Sequence, residues 1–309
     1  MKIFGYRGYS GQYPENTMLA FQKAIEFGAD GIQLDIHFSR DRQIVIIHDD
    51  SLSRITNGVG FVRHHYLKDL KNYEIKGSYE GDRQHILTLE EYLQWVEDLP
   101  VVTNISLKND RFFYPGLEEE TMALVNKYKM VDRVILSSKR ESSIALLKEK
   151  WPEVKSGWEL EHFSDELIEK IIAHRPDYLI PSIQCFNERF MEAVKELGIP
   201  VIPYSVNTIE DMERMEYYET EGICTMFLKQ AKETMGLKEN PYSPEQIEQA
   251  LAPPKEEEIL DQGPSGKIRQ QSKKLTGGVM GIFVGILVSI SAAVIVTKIA
   301  FSFLVSFFS

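Results

Sequence analysis

Tyr6-Arg7-Gly8, Tyr13-Pro14-Glu15-Asn16-Thr17, Gly28-Ala29-Asp30-Gly31-Ile32-Gln33-Leu34-Asp35 and His48-Asp49 follow one another in the first part of a 309-residue chain. A β-branched and aromatic run leads to Arg7-Gly8, and Asn16-Thr17 opens an amphipathic helical stretch over 17–27. A second apolar run then ends on Asp35. The same alternation continues downstream. Strands are expected over 2–7, 31–37 with 43–48 beside it, 101–108, 133–138, 155–161, 177–183, 199–206 and 222–227. Helices are expected between them over 88–98, 117–129, 142–150, 165–173, 188–197, 209–218 and 228–235. Repeated strand-helix units of this number imply a closed parallel (β/α)8 barrel, in which every strand ends at one common mouth.

Residues two apart on a strand face the same way, so Gln33 pairs with Asp35 and Ser106 with Lys108 on faces near strand ends. Together with the opening motifs, this order resembles the glycerophosphodiester phosphodiesterase family. Its members usually read His-Arg-Gly, Pro-Glu-Asn-Thr, Gly-Ala-Asp, Glu-x-Asp and His-Asp, followed by Glu-x-Lys. The resemblance runs over about 3–235 and includes Arg54-Ile55-Thr56 and Thr88-Leu89-Glu90-Glu91. It implies a TIM barrel of the PLC-like phosphodiesterase type. It also implies a divalent metal, commonly Ca²⁺ or Mg²⁺, held by three carboxylates, with two histidines as general base and acid.

Arg7, Glu15, Asp35, His48 and Lys108 match the family pattern, whereas Tyr6, Gln33 and Ser106 replace its first histidine and two of its metal-binding glutamates. One carboxylate with an amide and a hydroxyl is a poor hard-cation site, and a phenol of ordinary pKa about 10 is a poor base at neutral pH. Metal binding is therefore expected to be weak or absent. What the resemblance leaves is a phosphate-binding set: Arg7 and Lys108 as cations, His48 as a donor, Glu15 beside them and Tyr204 as a stacking surface. Arg7 and Lys108 also suit an internal ion pair with Asp35, and Glu15 suits organisation of the following helix start. Tyr204-Ser205-Val206-Asn207 keeps the family's aromatic line, while Thr225-Met226 loses a polar residue. Glu159 or Glu161 is an alternative carboxylate at the fifth strand end.

Composition bounds the rest. With 43% hydrophobic residues the chain has an ample core, and a net charge of −11 argues against nucleic acid. Cys185 and Cys224 make no disulfide framework or metal-ligand spacing and are expected to be buried thiols. The N-terminus lacks the pattern of a signal peptide, so secretion by that route is not expected.

Residues 1–236 are read as the barrel, 237–274 as a Pro-rich and acidic linker ending in a basic segment, and 275–309 as a membrane anchor. A short helix from Pro244 to Leu251 is expected inside the linker. Residues 277–297 carry no charge, and about 21 helical residues at 1.5 Å each span roughly the hydrocarbon thickness of a bilayer. Lys267, Arg269, Lys273 and Lys274 precede this span, which puts the barrel of a single-pass, tail-anchored protein on the cytoplasmic side. Gly277, Gly281, Gly285, Ser289 and Ala293 form a small-residue stripe suited to helix self-association. Three functions remain open: a headgroup-binding pseudoenzyme, an active metal-assisted glycerophosphodiester phosphodiesterase, and a membrane scaffold oligomerised through its tail.

Overall fold

A computed structural model describes residues 1–77, 83–237 and 239–252. Strands β1 (Lys2–Tyr6), β2 (Gly31–Phe38), β5 (Val102–Leu107), β6 (Val134–Ser138), β7 (Lys155–Leu160) and β8 (Tyr178–Pro181) are joined in parallel register in that order. The last strand, β9 (Gly222–Thr225), pairs with β1. The short strands β3 (Ile44–Ile46) and β4 (Leu87–Thr88) run antiparallel on the β2 edge. They bracket an excursion with its own core of Val45, Ile47, Leu52, Ile55, Val62, Leu70 and Ile86.

Helices α1 (Met18–Glu26), α2 (Leu67–Leu70), α3 (Leu89–Val96), α4 (Leu117–Lys127), α5 (Glu141–Lys150), α6 (Asp165–His174), α7 (Glu188–Leu197), α8 (Ile209–Tyr217) and α9 (Leu228–Thr234) follow the alternation. Their starts are local events: the Thr17 hydroxyl accepts from Ala20 N, and Thr88 forms a reciprocal capping box with Glu91. Outward strand residues such as Ile3, Leu34, Ile36, Ile105 and Leu136 pack against the helices in the main core.

The stretch 199–206 forms no regular strand. Pro200 and Pro203 lack the N–H groups a ladder needs, so this stretch closes the barrel through single bridges, Leu179 to Val201 and Ser182 to Tyr204 on one side. On the other side Val206 N donates to Cys224 O, and Cys224 N to Pro203 O.

The region after 236 departs from the linker reading. Residues 1–254 form one compact unit. Helix α10 (Pro244–Leu251) starts on a Ser243–Gln246 capping box with proline in its first turn. It is fastened to the barrel by Tyr242 Oη donating to Ala29 O at 2.7 Å and Trp95 Nε1 donating to Ala250 O at 3.0 Å. Buried Ala250 and partly buried Ile247 join the main core, which explains why an otherwise polar segment is held. The apolar span 277–297 and its small-residue stripe lie outside the described residues. Among the described residues no helix is long and apolar enough to cross a membrane.

Candidate active site

Strand alternation builds the mouth in tiers. Inward-facing Phe4, Ile135, Ile180, Ile202 and Cys224 form an apolar floor, and Tyr6 and Tyr204 pack on it. Above the floor, Tyr6, Gln33 and Asn104 are register partners, and Asp35 and Ser106 are partners one step further along. The cavity they enclose is ≈ 170 Å³. Of the residues singled out in the sequence, Tyr6, Gln33, Asp35, His48, Ser106, Lys108 and Tyr204 line it; Asn104, Lys139, Glu159 and Glu161 complete the wall. Arg7 and Glu15 stand behind the wall rather than in it.

Arg7 and Gly8 turn the chain sharply out of β1 with φ of 59° and 80°. Gly8 is required there, because a Cβ would meet the Ala20 backbone at 2.7 Å. Arg7 holds its unfavourable backbone through two bonds: its N–H donates to Gln33 Oε1 at 3.1 Å, and its carbonyl accepts from Asn16 N at 3.0 Å. This turn aims the Arg7 side chain at Asp35.

Asp35, 1% exposed, is surrounded by donors. Gln33 Nε2 donates to Oδ1 at 3.1 Å and Asn16 Nδ2 to Oδ2 at 3.0 Å. Lys108 Nζ lies 3.8 Å from Oδ1 and Arg7 Nε 3.4 Å from Oδ2, the latter an ion-pair contact without hydrogen-bond alignment. The partners fix the Gln33 amide, since reversing it would set its oxygen against a carboxylate and its NH₂ against a backbone N–H. Burial acts to raise the Asp35 carboxyl, but Arg7, Lys108 and His48, with the Asn16 bond, prevail and hold it far below the usual carboxylate range. The internal ion pair anticipated for Arg7 and Lys108 is present at both residues.

A divalent cation needs several charged oxygens facing one point. Here Gln33 turns its amide nitrogen, not its oxygen, toward Asp35, Ser106 supplies a hydroxyl, and two cations already approach the single carboxylate. Among the described residues no group of three or more His, Cys, Asp or Glu side chains is arranged to hold a metal. As they stand, these residues do not fit a hard-cation site. Glu159 does turn into the cavity, buried, but its Oε1 accepts from Ser137 Oγ at 2.6 Å, and Glu161 is paired with Lys139.

His48 is held from two sides. Its Nδ1 lies 2.7 Å from Asp49 Oδ1, and its carbonyl faces His37 Nε2 at 3.1 Å. Burial pushes His37 down to about 4, so it is neutral; because the His48 carbonyl can only accept, His37 Nε2 bears the proton and Nδ1 accepts from the Tyr114 hydroxyl 3.2 Å away. Burial also lowers His48, with Lys108 and Arg7 adding to the effect against the opposing pull of Asp35 and Asp49. A neutral His48 donating from Nδ1 to Asp49 leaves Nε2 as an acceptor. Arg54 extends this chain, pairing with Asp49 at 2.5 Å and twice with Glu15, which also accepts from Arg7 at 3.0 Å. Glu15 therefore serves as an anchor between two arginines.

Tyr6 is no substitute base. Burial raises its phenol above the ordinary value, Arg7 counters, and Asp35 adds to the rise. Its hydroxyl accepts from Arg7 Nη2 at 3.0 Å, and its ring stacks on Tyr204 at 6.0 Å and 15°. Three buried polar atoms in the wall, Asn104 Oδ1, Ser106 Oγ and Tyr204 Oη, have no hydrogen-bond partner among the described residues, so the cavity offers unspent hydrogen-bonding capacity beside Lys108 and Lys139. Asn104 was legible as an inward position two residues before Ser106, whereas Lys139 follows the end of β6 with no sequence signal to distinguish it from a surface lysine.

The closed parallel barrel with its residues gathered at one mouth defines a TIM barrel. The sequence profile of the glycerophosphoryl diester phosphodiesterase family matches residues 7–229, and the chain belongs to that family. It is 35% identical over 237 residues to the uncharacterized protein YqiK of Bacillus subtilis, covering 74% of this chain and 96% of that one. It is 34% identical over 232 residues to the glycerophosphodiester phosphodiesterase of Caldanaerobacter subterraneus subsp. tengcongensis, covering 72% and 93%. Among solved structures, an Oleispira antarctica phosphodiesterase in complex with the product sn-glycerol-3-phosphate superposes with a TM-score of 0.68 at 24% identity, over 76% of this chain and 97% of that one. The family generally depends on a divalent metal.

Proposed function

We propose that this family member binds a glycerophosphodiester or phospholipid headgroup in the barrel mouth, holds a divalent metal weakly or not at all, and hydrolyses its ligand poorly or not at all. The observation that carries this reading is the Gln33 amide donating to Asp35, with Arg7 and Lys108 against the same carboxylate. That arrangement satisfies Asp35 internally, while the unpartnered polar atoms of Asn104, Ser106 and Tyr204 are left for a hydroxyl-bearing ligand whose anionic group would share Lys108 with Asp35 and Lys139 with Glu161. The apolar span 277–297 supports a further part of the proposal, tethering to a membrane with the barrel on the cytoplasmic side. Self-association through the small-residue stripe belongs to the same proposal.

One observation favours the second reading, an active enzyme: His48, whose Nδ1 is engaged by Asp49 so that Nε2 is left as an acceptor, lines a cavity that Lys108 also lines. The test is purification of residues 1–254, calorimetry with glycerophosphodiesters and sn-glycerol 3-phosphate, and assay of glycerol phosphate release with Mg²⁺, Ca²⁺ or Mn²⁺. Binding without turnover, weakened in Lys108→Ala, is the expected result. Metal-dependent release that disappears in His48→Ala would overturn the proposal in favour of the enzyme. Neither binding nor release would favour the scaffold.

A further inference from the structure

One side of the mouth carries a continuous patch of arginines stacked on aromatic rings. The loop after β5 supplies Arg111, Phe112 and Phe113; the first residues after β6 supply Arg140; the excursion after β3 supplies Arg63. The Arg63 guanidinium lies 4.8 Å from the Phe112 ring centre, that of Arg111 5.7 Å from the same ring, and that of Arg140 4.5 Å from Phe113. Phe113 is 56% exposed, and the Arg111 side chain 68%. The patch abuts the cavity: Arg111 pairs with Asp50, two residues from His48, and Arg140 follows the cavity residue Lys139. Asp50 is the carboxylate opposite Arg111, whereas Arg63 and Arg140 have no carboxylate at ion-pair distance among the described residues.

We propose that this rim docks on an anionic lipid surface and presents the barrel mouth to the headgroups. A cationic patch with an exposed phenyl ring is unexpected on a chain of net charge −11 unless its partner is anionic and accepts an apolar ring. A bilayer surface meets both demands, since anionic headgroups attract arginine and the interfacial region accommodates aromatic rings. A flat surface also meets only the rim. The remaining acidic surface is largely screened beyond a Debye length of about 8 Å, whereas a long flexible polyanion would be repelled along its length. This docking concerns the barrel and is independent of the tail span and of whether the mouth hydrolyses anything.

The full chain tests it with a reporter on the rim. Phe113→Trp places an indole there, and its fluorescence, corrected for the unmodified chain with its own Trp95, Trp151 and Trp158, is measured on vesicles with brominated acyl chains. Any attachment through the tail would be common to all samples, so quenching at position 113 reads the rim alone. Quenching is expected on vesicles rich in phosphatidylglycerol, absent on pure phosphatidylcholine, and reduced by high salt. Combining Phe113→Trp with Arg63→Glu, Arg111→Glu and Arg140→Glu removes three attractions and adds three repulsions, and is expected to lower the ratio of docked to undocked rim by at least roughly 100-fold. No quenching on the anionic vesicles, equal quenching on neutral ones, or insensitivity to salt would each overturn the proposal. The salt series uses the reporter chain with its arginines intact, so the test stands even where the charge-reversed chain does not fold.

Discussion

Gln33→Glu places a second carboxylate against Asp35 with almost no change in shape. In the native protein Gln33 Nε2 donates to Asp35 Oδ1 at 3.1 Å, inside a site that is 1% exposed at Asp35. The substitution removes a hydrogen bond to a charged acceptor, worth about 1.5–3 kcal/mol. It also adds a like-charge contact of about 4 kcal/mol at 4 Å and an effective dielectric of about 20. Arg7 and Lys108 offset part of this, so the net loss expected is about 3 kcal/mol, or roughly 6–12 °C in Tm for a unit of this size. The sign with pH follows from linkage. Asp35 raises the pKa of the new carboxyl in the folded state, so the folded form binds more protons than the unfolded, and stability falls as pH rises from about 4. In acid the new group is protonated, donates to Asp35 and costs little. The assay is thermal unfolding of residues 1–254 from pH 4 to 8, with chelator or with Ca²⁺. The native protein is expected to be indifferent to the cation, whereas the variant is weakened at neutral pH and recovers with Ca²⁺, which two adjacent carboxylates attract. A native protein whose Tm rises with Ca²⁺ as much as the variant's, or a variant as stable as the native protein in chelator at neutral pH, would refute the donor arrangement described for Asp35.

Three further outcomes are expected. Asp35→Asn leaves Arg7 and Lys108 without their buried counter-charge and lowers stability by about 3–5 kcal/mol at neutral pH, read by urea unfolding. Because the Asp35 pKa is depressed in the fold, its contribution is present above the ordinary carboxylate value of about 4 and disappears as pH falls toward the folded value, so the gap between native and variant closes in strong acid. Tyr242→Phe deletes the buried bond to Ala29 O and costs about 1–3 kcal/mol, and ending the chain at 236 costs more, because the α10 contacts with the main core are lost as well. A chain ending at 236 that melts at the temperature of one ending at 254 would restore the reading of this segment as linker.

The alternation of apolar runs and helix signals was enough to place nearly every strand and helix, because both periodicities are local consequences of which face is buried. It failed at 199–206, where inward Ile202 and Tyr204 look strand-like but Pro200 and Pro203 withhold donors, and at the linker boundary, where a polar composition concealed that the helix expected over 244–251 is fastened to the barrel by Trp95 and Tyr242. For the site, the gathering of Tyr6, Gln33, Asp35, Ser106 and Lys108 at one mouth was legible, since all five fall at inward positions near strand ends. The bonds they make with one another were not.

Sequence by itself determined the barrel, the family and the charge balance, and put Tyr6, Gln33 and Ser106 at inward positions of the mouth, all properties of residue type and spacing. Only tertiary structure decided that Gln33 turns its nitrogen to Asp35, that Glu15 anchors arginines instead of facing the cavity, and that Arg63, Arg111 and Arg140 meet on one rim. The orientation of an amide and the gathering of side chains from separate loops depend on partners distant in sequence, whose satisfaction is settled when the strands come into register and the burial of charge must be balanced in space.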